Sequence, residues 1–161
     1  MMRAIVCLLA IMLMASCSSG VTGAATPSPS EADLLAMATQ IDSALDVAYN
    51  NRDIDGFMKH YLNSSDLVVV DGGKFLKGYV AWRQEIERQF KEVNPKVRFY
   101  LSEKHNIVKG DHVYGWGYYK VLIPVENAPD KVVNGLYTSV KAFQGGKLVT
   151  VMETYVRTAG S

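Results

Sequence analysis

The order of hydrophobic periods predicts an α+β protein, with helices first and long antiparallel strands after them. Three observations carry this. Apolar residues recur at helical spacing between residues 30 and 93, a short strand pair around Gly72-Gly73 interrupts them, and beyond Pro95 the period changes to alternation in four long stretches. Helices and strands segregated along a chain mark an α+β architecture, here with a bent sheet wrapped around the helices.

The first helix is expected to begin at Ser28-Pro29-Ser30-Glu31, read as a capping box with Ser28 as N-cap, Pro29 at the first helical position and Glu31 reaching back. Leu34, Ala38, Ile41, Leu45, Ala48 and Tyr49 then form one apolar face, which ends near Asn50-Asn51. Asp53 is a second N-cap candidate, followed by a short helix through Ile54, Phe57, Met58 and Tyr61 despite Gly56. Leu67–Val70 reads as a buried strand, Asp71-Gly72-Gly73 as a tight turn, and Lys74–Leu76 as the returning strand. A third helix from about Gly78 to Val93 carries Tyr79, Trp82, Ile86, Phe90 and Val93 on one face, and Pro95 stops it. The four long strands are Val97–Val108, Val113–Ile123, Val132–Phe143 and Lys147–Arg157, read as an antiparallel meander.

The start of the chain reads as an export signal. Arg3 is followed by an uninterrupted apolar run from Ala4 to Ala15, then Ser16 and Cys17; the run is shorter than the ~20 residues a membrane span needs. Leu13-Met14-Ala15-Ser16-Cys17 resembles the lipobox of bacterial lipoproteins, with Met14 where leucine is usual; the resemblance implies a lipidated Cys17 as first mature residue. An ordinary secretory signal with an incidental Cys17 is the alternative reading. Residues 1–16 are thus read as signal, 17–27 as a flexible tether of roughly 30 Å maximal reach, and 28–158 as the folded domain. Localisation follows as the bacterial cell envelope. In a Gram-negative host the periplasmic side of the outer membrane is expected, because Ser18 is not the aspartate that favours inner-membrane retention; in a Gram-positive host, the outer leaflet of the cell membrane.

Without the signal, 16 basic residues balance 16 acidic ones, since Arg3 is the only charge removed from 17 Lys and Arg against 16 Asp and Glu. Such balance argues against nucleic acid as a partner. Cys7 leaves with the signal, so Cys17 is alone and neither an intramolecular disulfide nor a thiolate metal site is expected. No cofactor is expected. His60, His105 and His112 have no metal-ligand spacing, and no Gly-x-Ser-x-Gly elbow or phosphate-cradling loop is present.

Several local phrases carry a resemblance: Tyr49-Asn50-Asn51-Arg52-Asp53-Ile54-Asp55-Gly56-Phe57, Val70-Asp71-Gly72-Gly73 followed by Lys77-Gly78, and Gln144-Gly145-Gly146-Lys147. Together they resemble the SnoaL-like branch of the nuclear transport factor 2-like superfamily, which implies the cone-shaped α+β fold: a curved antiparallel sheet around three N-terminal helices. Ketosteroid isomerase is a catalytic relative. Its oxyanion tyrosine would fall at Leu45, its protonated aspartic acid near Ser139 and its base close to Asp71, so that machinery is mostly missing. Asp71 remains a candidate base, although its simplest role before two glycines is that of a turn residue.

An aromatic stripe remains. Tyr114, Trp116 and Tyr118 alternate with Gly115 and Gly117, so the rings share one sheet face. The expectation is that they line the cone with Trp82 and Tyr137; filling a core or covering a dimerising sheet face are the alternatives. By family register Val149, Val151, Glu153 and Tyr155 turn inward, which makes Glu153 a candidate catalytic or ligand-anchoring carboxylate. With the opposite parity it is solvated. Three functions are weighed: an anchored domain binding a small, partly apolar ligand without established catalysis; a small acid-base enzyme of isomerase or dehydratase type; and an envelope partner-binding or structural protein.

Overall fold

The structure, a computed structural model, describes residues 28–158. The signal and the tether with Cys17 lie outside these residues. Among the described residues no helix is long and apolar enough to cross a membrane. The elements are α1 (Glu31–Asn50), α2 (Ile54–Met58), β1 (Val68–Asp71), β2 (Lys74–Lys77), α3 (Tyr79–Glu92), β3 (Arg98–Lys109), β4 (His112–Ile123), β5 (Lys131–Gln144) and β6 (Lys147–Arg157).

The capping box of α1 sits two residues later than the sequence suggested. Ser30 is the N-cap: its hydroxyl accepts from Asp33 N at 3.2 Å, and Asp33 Oδ2 accepts from Ser30 N at 3.0 Å. The pairing with Asp33, not Glu31, therefore marks the start. Leu34, Ala38, Ile41, Leu45 and Ala48 are buried along one face, and the same face carries Asp42, also buried. Asp53 caps α2, accepting from Gly56 N at 2.8 Å. Arg52 then ties this junction to the end of α3: its guanidinium donates to the carbonyls of Phe90 and Val93, two groups that helix termination leaves without backbone donors.

The strands form one six-stranded sheet in the order β2-β1-β6-β5-β4-β3. Neighbours are antiparallel except β1 and β6, which run parallel. Alternation alone did not reveal that parallel pair. Its cause lies in the segment before β1, which already runs beside β6: Leu62 N donates to Thr150 O at 2.9 Å and Thr150 N to His60 O at 2.8 Å. Two irregularities bend the sheet, one between Ser102 and His105, where Glu103 has φ 47°, and one at Val151.

Helix α1 crosses the concave face and docks on the edge strand. Asn50 donates to Phe99 O at 2.7 Å and accepts from Phe99 N at 2.8 Å, while Asp46 accepts from Leu101 N at 3.1 Å. These side chains satisfy backbone groups that an edge strand otherwise leaves open. The main core joins α1, α2, α3, β1 and one end of the meander, with Met58, Leu67, Val69, Trp82, Ile86 and Leu148 buried in it. A second cluster of Leu101, Tyr137 and Tyr155, flanked by Phe99 and Tyr119, fills the other end of the concave face.

Candidate functional site: a cavity between the helices and the concave sheet

A cavity of about 600 Å³ lies between α1, α3 and the concave face, at the end marked by the β1–β2 turn and the last residues of β6. This volume falls within the roughly 300–1,000 Å³ of small-molecule sites. Its wall takes Tyr49 from α1, Phe57 from α2, Trp82, Ile86 and Gln89 from α3, and Phe99 from β3. The meander adds Tyr119, Val121 and Ile123 from β4, Val133 from β5, and Tyr155 to Arg157 from β6; Val70 to Gly73 close the side.

One polar line crosses this wall. Gln89 Nε2 donates to Asp71 Oδ2 at 2.8 Å, and Gln89 Oε1 accepts from the Tyr49 hydroxyl at 2.9 Å. The amide is held from both ends, so the Asp71 carboxyl has a defined direction. Burial raises the Asp71 pKa, an effect only partly offset by the Gln89 hydrogen bond. Burial likewise pushes the Tyr49 hydroxyl up to about 12. Tyr155, in the same wall, is raised well above the ordinary tyrosine value, first by burial and then by the charge of Glu153. Asp71 begins the turn the sequence indicated, with Gly72 and Gly73 at φ 56° and 85°, but it also pairs with Tyr155 across β1 and β6 and shares that residue's inward face.

Glu153 occupies a different place. Only 2% exposed, it accepts from the Tyr61 hydroxyl at 2.5 Å and is absent from the cavity wall, where its strand neighbour Tyr155 stands. Burial pushes its carboxyl up to about 7, against the pull of Tyr61 and Lys141. Beyond it lies a buried ionic group: Lys141 Nζ is 2.8 Å from Asp42 Oδ1 and donates to Ser139 at 2.9 Å, and Asn106 donates to Asp42 Oδ2 at 3.2 Å. Val149 and Val151 depart from the inward register proposed for them. The irregularity at Val151 resets the alternation, so Leu148 and Thr150 sit with Glu153 and Tyr155 on the concave side, as their partners Phe143, Lys141, Ser139 and Tyr137 require.

Of the other proposed pocket residues, Trp82 lies in the wall and Tyr137 is buried outside it. Tyr114, Trp116 and Tyr118 do not line the cone. They stand on the convex face, 41%, 42% and 46% exposed, and His105 stacks on Trp116 at 5.5 Å. Space on the other side explains this. A Cβ at Gly117 would come within 2.7 Å of Ser102 O and 2.8 Å of the Tyr137 ring, and one at Gly115 within 2.7 Å of Ser139 Oγ. Only glycine fits above those groups, so the glycines face inward and the rings outward. Leu45 is core and Ser139 is buried outside the cavity wall, so neither provides an isomerase-type oxyanion donor to the cavity. Among the described residues no cluster of His, Cys, Asp and Glu is arranged to hold a metal ion.

The residues that sequence reasoning missed are Gln89, Phe99, Tyr119 and Arg157 in the wall, and Asp42 with Lys141 beneath it. A signal for Tyr119 was available, because it shares the parity of Gly115 and Gly117. Asp42 had a signal too, lying on the apolar face of α1.

No family model matches the chain, and no curated protein matches it. Solved structures do. The chain is similar to a candidate dehydratase of the nuclear transport factor 2-like family from Streptomyces avermitilis, with TM-score 0.71 and 13% identity over 81% of this chain and 100% of that one. It is similar to a nuclear transport factor 2-like superfamily protein from Salmonella enterica, with TM-score 0.72 and 11% identity over 82% and 96%. A nuclear transport factor 2-like protein of unknown function from Pseudomonas putida gives 0.68 and 19% over 78% and 87%. With the six-stranded curved sheet and the helices across its concave side, these likenesses show that the chain has the nuclear transport factor 2-like cone fold.

Proposed function

We propose that this protein is a SnoaL-like domain held at the cell envelope through a lipidated Cys17, and that its cone binds a small, partly apolar molecule. The observation that carries the reading is the cavity of about 600 Å³, walled mainly by aromatic and aliphatic side chains and crossed by one oriented polar line. Large apolar contact plus a few placed polar groups is what a small-molecule site needs. The tether between Cys17 and Ser28 keeps the cavity near the membrane surface, and the convex sheet face pairs two copies.

The test is a thermal-shift screen of the full chain against apolar amines, alcohols and acids. A ligand present at ~100 times its Kd stabilises by about 2.7 kcal/mol, which raises Tm by roughly 10 °C for a domain of this size. No shift with any compound class would refute the reading.

A second reading, acid-base catalysis of isomerase or dehydratase type, is favoured by the position of Asp71, a carboxyl of raised pKa in the cavity wall. In that reading Glu153 acts from behind the wall through Tyr155.

A further inference from the structure

The chemistry of the cavity wall narrows the ligand class, on the footing that the cavity binds a ligand at all. Asp71 is partly buried in the wall and accepts from a neutral amide, Gln89. Among the described residues it forms no ion pair. The two cations whose charge reaches Asp71 are engaged elsewhere, Lys74 at 3.1 Å and Arg88 at 2.6 Å from Glu85, and Arg157 of the same wall forms no ion pair with it. A carboxylate withdrawn from water without a cation is costly, and an amide hydrogen bond offsets only part of that cost.

Around this charge stand Tyr49, Phe57, Trp82, Phe99, Tyr119 and Tyr155. Phe99 stacks with Tyr119 at 6.1 Å, and both meet Tyr155 edge-on, at 5.9 and 5.7 Å. Aromatic rings attract cations through their faces, and they give apolar groups a large contact area. A single uncompensated carboxylate among such rings favours positive charge over negative or neutral heads.

We infer that the cavity takes a small organic cation, an apolar amine or ammonium whose charge rests against Asp71 while its body packs among the aromatic rings. Arg157, at the rim, opposes such a ligand. It is exposed, so solvent screens much of its effect.

Calorimetric titration of the full chain at neutral pH with naphthylmethylamine, naphthylmethanol and naphthoate tests this, because the three share a body and differ in head. The amine should bind about ten-fold tighter than the alcohol. Asp71→Asn should abolish that preference with the alcohol's affinity kept, and Arg157→Gln, at an exposed position and so without risk to folding, should tighten amine binding alone. If the alcohol binds as tightly as the amine, or naphthoate binds best and Arg157→Gln weakens it, the cation inference is overturned while the pocket reading stands. If none of the three binds, the pocket reading itself fails and the inference with it.

Discussion

Glu153 and Asp71 both project from the concave side of the sheet, and burial raises both pKa values, yet they occupy different layers. Asp71 borders the cavity, whereas Glu153 lies behind Tyr155 against Tyr61 and the Lys141–Asp42 pair. The family register in the sequence reading already turned Glu153 inward. Its separation from the cavity was not legible, because that depends on Tyr61, which is 92 positions away in the chain. The raised pKa has a thermodynamic consequence. Folding lifts the Glu153 carboxyl from 4.5 to about 7, so between those values the folded state binds more protons than the unfolded chain. Its contribution is therefore full below about pH 4.5 and is lost as pH rises through about 7, on the order of 3 kcal/mol in all. Asp46, pushed up to about 6, acts in the same direction, while His60, lowered by burial, acts in the opposite one. Urea denaturation at about pH 5 and about pH 8 should show a smaller pH penalty in Glu153→Gln than in the wild type, since glutamine keeps an acceptor for Tyr61 but does not titrate. Equal pH dependence in the two proteins would contradict this account of Glu153.

At the scale of elements, β4 shows where alternation informs and where it stops. Period two separated Tyr114, Trp116 and Tyr118 from Gly115 and Gly117 correctly, but parity does not say which face is concave. The deciding contacts, those of Tyr137, Ser102 and Ser139 with the two glycines, come from neighbouring strands. The resulting convex face also exposes Ile107, Leu136 and Met152, which leaves an apolar surface with few charges. Four strands of about 12 residues, spaced about 4.8 Å apart with a rise of about 3.3 Å, span roughly 750 Å², near the ~800 Å² per partner of a standard interface. Light scattering should therefore report a dimer at micromolar concentration, and Trp116→Glu, which places a charge at its centre, should give a folded monomer. A wild-type monomer under the same conditions would remove this interface.

The whole molecule was legible as an order of elements: three helices, a hairpin and a four-strand meander appear in the predicted sequence of types, with boundaries displaced by one or two residues except at α2, which ends at Met58 and leaves Tyr61 outside the helix. What the order did not contain was closure. The parallel pairing of β1 with β6 makes hairpin and meander one sheet, and it brings Asp71 beside Tyr155. Gln89 meets Asp71 only because α3 then crosses that sheet, so the polar line of the cavity has no local signature. The two tryptophans divide between the two sides of the molecule, Trp82 in the cavity wall and Trp116 on the convex face. A Trp116→Phe variant therefore leaves Trp82 as the single tryptophan, a reporter inside the proposed site. Titrating that variant with naphthylmethylamine while following Trp82 emission tests the central claim directly: saturable quenching that Asp71→Asn weakens is the predicted result. Emission unchanged across the titration, with the domain still folded, would contradict it.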